Sequence, residues 1–202
     1  MMSELSIKKS ITETWNINNG YEWAIINMDE STGAFNVQSD YIDGSHMWTS
    51  IGDKSLKEFV IGLNFDYMMG KLIKGDHFYW NKTIKNIRQQ IFKDRKDNSI
   101  SKEVARVCRK IIDKWEEEAF STLSEFYCYG INEIDNAMSM IVVYNDLPFE
   151  ITDEIKESVH DVLNDSSYYV CTGFPPHAKM FWENIWKPFV EILKEEINRK
   201  QL

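Results

Sequence analysis

Between Trp15 and Ile51 apolar and polar side chains succeed one another with a period of two. Tyr21, Trp23 and Ile25 share one face, and Phe35, Val37 and Tyr41 follow in the next run, the pattern of half-buried strands. Asn18-Asn19-Gly20, Asp29-Glu30-Ser31-Thr32-Gly33 and Asp43-Gly44 punctuate these runs with residues that tolerate positive φ. The prediction is an antiparallel meander of about three to five strands, a size that persists once one face is covered.

After Gly52 the period lengthens to that of a helix. Leu56, Phe59, Val60, Leu63 and Tyr67 form an apolar stripe behind Asp53 or Ser55 as N-cap, with breaks expected at 62–64 and near Gly70. A second helix is expected from about Asp76, with Trp80, Ile84, Ile87 and Ile91 opposite Lys82, Lys85, Arg88 and Lys93. A third starts at Ser99 or Ser101, buries Val104, Val107, Cys108, Ile111 and Trp115, and runs into Glu116-Glu117-Glu118. The polar connection 94–99 has a length suited to an antiparallel helix pair. Met138–Tyr144, apolar and partly β-branched, reads as a buried strand, and Ser167–Thr172 as another. Between them Thr152 caps a helix that places Ile155, Val159, Val162 and Leu163 inside, and Pro175-Pro176 opens the last helix. Its stripe is Trp182, Ile185, Trp186, Phe189, Leu193 and Ile197, and Pro188 is expected to kink or restart it.

These elements predict one α+β domain over 1–202, an N-terminal antiparallel β-meander packed against several α-helices. Residues 1–52 are expected to be mainly strands, 53–130 mainly helices and 131–202 mixed. A chain of 202 residues that is 43% hydrophobic and 27% charged, with 9 Gly and 4 Pro, has the apolar content for a core and no flexible linker. It has no uninterrupted apolar run of the roughly 18–20 residues a membrane-spanning helix needs, and no signal-peptide pattern at Glu4 and Lys8-Lys9. Cys108, Cys128 and Cys171 form no CxxC pair and are read as reduced thiols, and His46, His77, His160 and His177 lack zinc-ligand spacing. No metal or cofactor is expected.

Charge divides the chain. The net value is −9, which disfavours broad binding to polyanions. Yet residues 76–112 carry 10 basic and 4 acidic groups, against 7 and 18 in residues 113–202. Two opposed surfaces follow. Lys82, Lys85, Arg88, Lys93, Arg95 and Lys96, led by Phe78, Tyr79 and Trp80, form a candidate nucleic-acid strip. Glu116, Glu117 and Glu118, with Asp153, Glu154, Glu157 and Asp161, form a candidate acidic surface for a basic groove on a protein. Glu125, Glu133 and Asp135 lie along the same region.

Trp23-Ala24-Ile25-Ile26, Asp29, Thr32-Gly33, Ser39-Asp40-Tyr41, Trp48, Gly52, Leu56, Phe59 and Tyr67 resemble the N-terminal third of small proteins encoded by bacteriophages and prophages. The stretch from Pro175-Pro176 through Phe181-Trp182-Glu183 to Trp186-Lys187-Pro188-Phe189 resembles the C-terminal end of the same kind of protein. One departure is Ile42-Asp43 after Tyr41, where those proteins lead us to expect a glycine. The resemblance implies an origin in phage accessory genes, a setting rich in inhibitors of host defence and modifiers of host enzymes. It brings no activity, ligand or catalytic residue; the expected location, the cytoplasm of the bacterial host cell, follows from the missing spanning run and signal-peptide pattern.

Signatures of nucleotide binding, GxSxG hydrolases, kinases, HExxH proteases and EF-hands are missing. Asp146 with Glu154-Ile155-Lys156 imitates the acid plus E-x-K spacing of metal-dependent nucleases, and Asp40, Asp43 and His46 crowd one loop. Both have plainer readings, as the first turn of a helix and as an Asx-stabilised turn. No catalytic residue is assigned. The expectation is an accessory interaction protein, a non-enzymatic inhibitor that binds a host protein, such as a nucleic-acid-handling defence complex. The alternative is a nucleic-acid-binding or metal-dependent nucleic-acid-processing protein that uses segment 76–112. A homo-oligomer is compatible with either, and a small-molecule binder with a pocket between sheet and helices is a third option.

Overall fold

In a computed structural model the protein is described at residue 7, at residues 9–144 and at residues 147–200, of Lys200 by its backbone alone. Contacts group the chain into two compact units, one comprising Met1–Gly75 with Phe174–Leu202 and the other Asp76–Gly173.

The first unit is built on the expected meander. Strands β1 (Glu13–Asn19), β2 (Glu22–Asp29), β3 (Ala34–Ser39) and β4 (Asp43–Met47) pair antiparallel in chain order. The registers Trp15↔Ile26, Ile26↔Val37 and Phe35↔His46 put Trp15, Ala24, Ile26, Met28, Phe35 and Val37 on one face. That face meets Leu56, Val60, Met68, Phe181, Trp186 and Phe189 in a continuous core. On β2 the buried set is therefore Ala24, Ile26 and Met28, while Tyr21 and Trp23 of the expected apolar face are exposed. Both parities of Trp23-Ala24-Ile25-Ile26 are apolar, so the register was settled elsewhere. On the opposite face Thr14 Oγ1 donates to Asn27 Oδ1 at 2.8 Å and Asn27 Nδ2 to Asn36 Oδ1 at 3.2 Å. These cross-strand polar pairs fit the solvent side of a sheet. Gly33 closes the β2–β3 hairpin at φ 72°, where a Cβ would sit 2.0 Å from the Trp48 carbonyl oxygen. Only glycine satisfies both conditions.

Helices α1 (Leu56–Val60) and α2 (Phe65–Leu72) follow, capped by Ser55 and Asn64, with Glu58 completing a capping box on Ser55. The break expected at 62–64 lies between them. Near the C-terminus α8 (Pro176–Phe181) passes through a π-turn at Trp182–Trp186 into α9 (Lys187–Lys200). In the π-turn Lys187 N–H donates to the Trp182 carbonyl, five residues back. Pro188 has no N–H for the Asn184 carbonyl, and widening the preceding turn accommodates its ring without ending the helical run.

In the second unit β5 (His77–Phe78) pairs antiparallel with β6 (Thr172–Gly173). Between them lie α3 (Trp80–Lys96), α4 (Lys102–Glu118), α5 (Leu123–Glu125), α6 (Ile134–Val143) and α7 (Asp153–Asn164). A π-turn at Phe126–Gly130 and a 3₁₀ turn at Ile131–Glu133 join α5 to α6. Ser101 caps α4 and Thr152 caps α7, as expected. The core gathers Ile84, Ile87, Val107, Ile111, Trp115, Phe126, Ile134, Val159 and Leu163.

Two expected strands are corrected here. Met138–Tyr144 belongs to α6, because Ile134, Ala137, Met138 and Ile141 are buried together at i, i+3, i+4 and i+7, a helical period that a window opening at Met138 truncates. Ser167–Thr172 is a 3₁₀ turn over Asp165–Tyr169, and only Thr172–Gly173 is paired strand.

Candidate functional site

The basic and acidic side chains singled out in the sequence fall in the second unit, where α3 and α4 pack on each other and α7 packs on α4. On α3 one face carries Lys85, Arg88, Arg95 and Lys96, which stand at i−7, i−4, i+3 and i+4 from Phe92. Lys82 and Lys93 lie to the flank of that face. Phe92 is 70% exposed although it is a large aromatic. Arg88, Phe92 and Arg95 line a groove of about 440 Å³ with Ala105, Arg109, Ile112 and Asp113 of α4.

Of the three aromatics expected to accompany these cations, Phe78 and Trp80 are used otherwise and Tyr79 meets one of the cations. Phe78 is buried, and Trp80 packs its ring 5.2 Å from Phe120 and 5.6 Å from Phe126. Tyr79 is half-buried, with its ring against His77 and under Lys82 Nζ at 4.2 Å.

Glu116, Glu117 and Glu118 are exposed on the last turn of α4, a helix end without a cation of its own. Arg88 of α3 supplies one, donating to Asp113 at 2.6 Å and to Glu116 at 2.7 Å. The four acids of α7 are also exposed. Glu154 and Asp161 line a groove with Ser101 and Val104 at the opposite end of α4, roughly 20 Å along the helix axis from Glu116–Glu118 at 1.5 Å per residue. The two acidic clusters are thus separate surfaces.

Asp153 pairs with Lys156 at 2.9 Å. That lysine lines a cleft of about 1070 Å³, walled by Met138, Ile141, Val142, Val143, Leu147, Pro148, Phe149 and Ile151 with Asp135, Ser139 and Glu150. His160 of α7 meets Asp135 of α6 at 2.8 Å beside it. Val142, Val143 and Tyr144 are exposed, Val143 at 73%. This apolar wall has no counterpart in the sequence reading, which assigned its residues to a buried strand.

Of the two constellations weighed for catalysis, Asp40, Asp43 and His46 do not converge, and the other includes a residue outside those described. Asp43 and His46 are three residues apart on β4 and so point to opposite faces. Asp40 accepts the Trp23 N–H at 2.9 Å, and His46 meets Trp48 edge-to-face with its pKa lowered by burial and by the charge of Lys71. Asp146 lies outside the described residues, and Glu154 and Lys156 occupy the exposed first turn of α7. Among the described residues no group of three or more His, Cys, Asp or Glu is placed to hold a metal ion. Burial pushes the Cys108 thiol up to about 12, so it is held as the unreactive thiol. Among the described residues no helix is long and apolar enough to cross a membrane.

Compared with known protein families, the chain matches Phage_phiTE_072, a phage family, over residues 5–195. The chain belongs to this phage family. The match takes in both units, including the α3–α4 groove and the α6–α7 cleft. No curated protein and no solved structure matches the phage protein.

Proposed function

We propose that this phage protein is an accessory interaction protein that acts without catalysis, docking the α6–α7 cleft on a host protein and inhibiting it. The observation that carries the reading is the exposed apolar wall of Val142 and Val143 over a cleft of about 1070 Å³. Contiguous exposed apolar surface rimmed by polar groups suits burial against a protein partner. The rim supplies direction. Asp135, Glu150, Asp153 and Glu157 stand on or beside it against Lys156 and His160, an acidic border that favours a partner whose apolar anchor is flanked by basic residues. Basic surfaces of that kind are found on proteins that handle nucleic acid, which makes a nucleic-acid-handling defence complex the favoured target. Glu116–Glu118 lie outside this surface.

The test is affinity capture from host lysate after nuclease treatment, run in parallel with Val142→Glu/Val143→Glu and with Arg95→Gln. The expected result is a stoichiometric host protein that survives nuclease, is lost from the double variant and is retained by Arg95→Gln. Capture that the double variant leaves intact, or capture of nucleic acid alone, overturns the reading.

A further inference from the structure

We infer that the α3–α4 groove is a binding site for single-stranded nucleic acid, with Phe92 as the stacking platform and Lys85, Arg95, Lys96 and Arg109 as the phosphate contacts. The site lies on other elements than the α6–α7 cleft and does not depend on the reading given for it.

The argument starts from Phe92. An apolar ring on the basic face of an amphipathic helix that is 70% exposed leaves most of its area in water, and the buried stripe of α3 is already complete in Thr83, Ile84, Ile87 and Ile91. Around the ring the cations are ordered by the helix, Lys85 and Arg88 one or two turns before it, Arg95 and Lys96 one turn after. Arg109 enters from α4 across the groove.

Availability then distinguishes them. Arg88 is held by Asp113 and Glu116, so its charge is already matched. Arg95 donates to the neutral amide of Asn98 at 3.2 Å. Among the described residues Lys85, Lys96 and Arg109 make no salt bridge. The groove therefore keeps an uncompensated positive charge next to an exposed aromatic face.

That pairing of a stacking ring with guanidinium and ammonium groups is what holds single strands without reading their sequence. A duplex offers no exposed base to the ring. An acidic peptide would use the cations and leave Phe92 unexplained, which is why nucleic acid is the occupant the groove favours. The overall charge of −9 restricts the contact to this local surface and makes it sensitive to salt.

Fluorescence anisotropy of the full-length protein with a labelled oligo-dT of about 15 nucleotides, at about 50 mM salt, tests the site. Three competitors are added: duplex DNA of the same length, single-stranded RNA, and a poly-glutamate peptide. Phe92→Ala is expected to weaken oligo-dT binding by about tenfold or more, the loss of one base–aromatic stack. Arg95→Gln/Arg109→Gln is expected to lower the slope of log K against log salt by roughly 1.4, two phosphate contacts on a single strand. Both changes are on exposed side chains, and unchanged circular dichroism and thermal unfolding confirm that the fold is kept. Val142→Glu/Val143→Glu is expected to bind oligo-dT as the unmodified protein does. Absence of binding, binding indifferent to Phe92→Ala, or equal competition by duplex or by poly-glutamate overturns the inference.

Discussion

Arg88 on α3 donates to Glu116 on the last turn of α4 at 2.7 Å, with Asp113 one turn earlier at 2.6 Å. One member of the basic strip and one of the acidic run thus satisfy each other inside one unit. The pair also answers a local problem, because Glu116, Glu117 and Glu118 crowd the negative end of the α4 dipole. All three side chains of the pair and its Asp113 partner are roughly half exposed, so the contribution is modest. A double-mutant cycle with Arg88→Ala and Glu116→Ala is expected to give a coupling of about 0.5 kcal/mol, which fades at high salt. Coupling that survives high salt would refute a screened surface pair.

Lys57 makes the tighter tie. Its side chain is only 6% exposed, yet Nζ reaches Glu13 of β1 at 2.6 Å and Glu196 of α9 at 3.6 Å while lying 4.9 Å over the Trp15 ring. One ammonium therefore joins the first strand, the first helix and the last helix of its unit. Lys57→Ala removes both the stem and the charge, and is expected to cost about 2–3 kcal/mol in chemical unfolding, because the freed carboxylates keep partial access to water. Lys57→Met retains the stem and should recover much of that loss. If Lys57→Met is as destabilising as Lys57→Ala, charge dominates over packing at this position.

Much of this architecture is legible in the residues. The strand period, the Asn-Gly turn, and the caps at Ser55, Ser101 and Thr152 each act through neighbours in the chain, so local reading finds them; Asp43-Gly44, expected as a turn, instead opens β4 in register with Gln38 and Val37. The β2 face depends on its partner strands, and α6 on residues just ahead of the apolar run, so neither follows from the run alone. Trp23 and Ala24 are both acceptable in a core, and the choice was made by pairing with β1 and β3. Met138–Val143 suits a strand or a helix until Ile134 and Ala137 are counted in its stripe. Of the candidate surfaces, the charges were visible in the sequence and their partners were not. Nothing local announces that Arg88 is neutralised by α4 or that Arg109 faces α3. Phe92 could have been found, since it interrupts the basic face of a helix whose apolar stripe lies on the other side.

The hairpin at Asp29 gives the molecule an acid-sensitive element. The carboxylate accepts hydrogen bonds from the side chains of Ser10 and Ser31 and from the backbone N–H groups of Ser31 and Thr32. These bonds favour the charged form and lower its pKa from 3.8 to about 2. The folded form therefore binds the proton less readily than the unfolded chain, and the stabilisation is fully present above the unfolded value near 4. It drains away as the pH falls from there through about 2. Asp29→Asn keeps the size and an acceptor oxygen but removes the charge. Urea unfolding at a series of pH values is expected to show the variant less stable than the parent at neutral pH, with the gap closing between pH 4 and pH 2. A gap that persists unchanged through that range would mean that the side chain's shape, and not its ionisation, secures the turn.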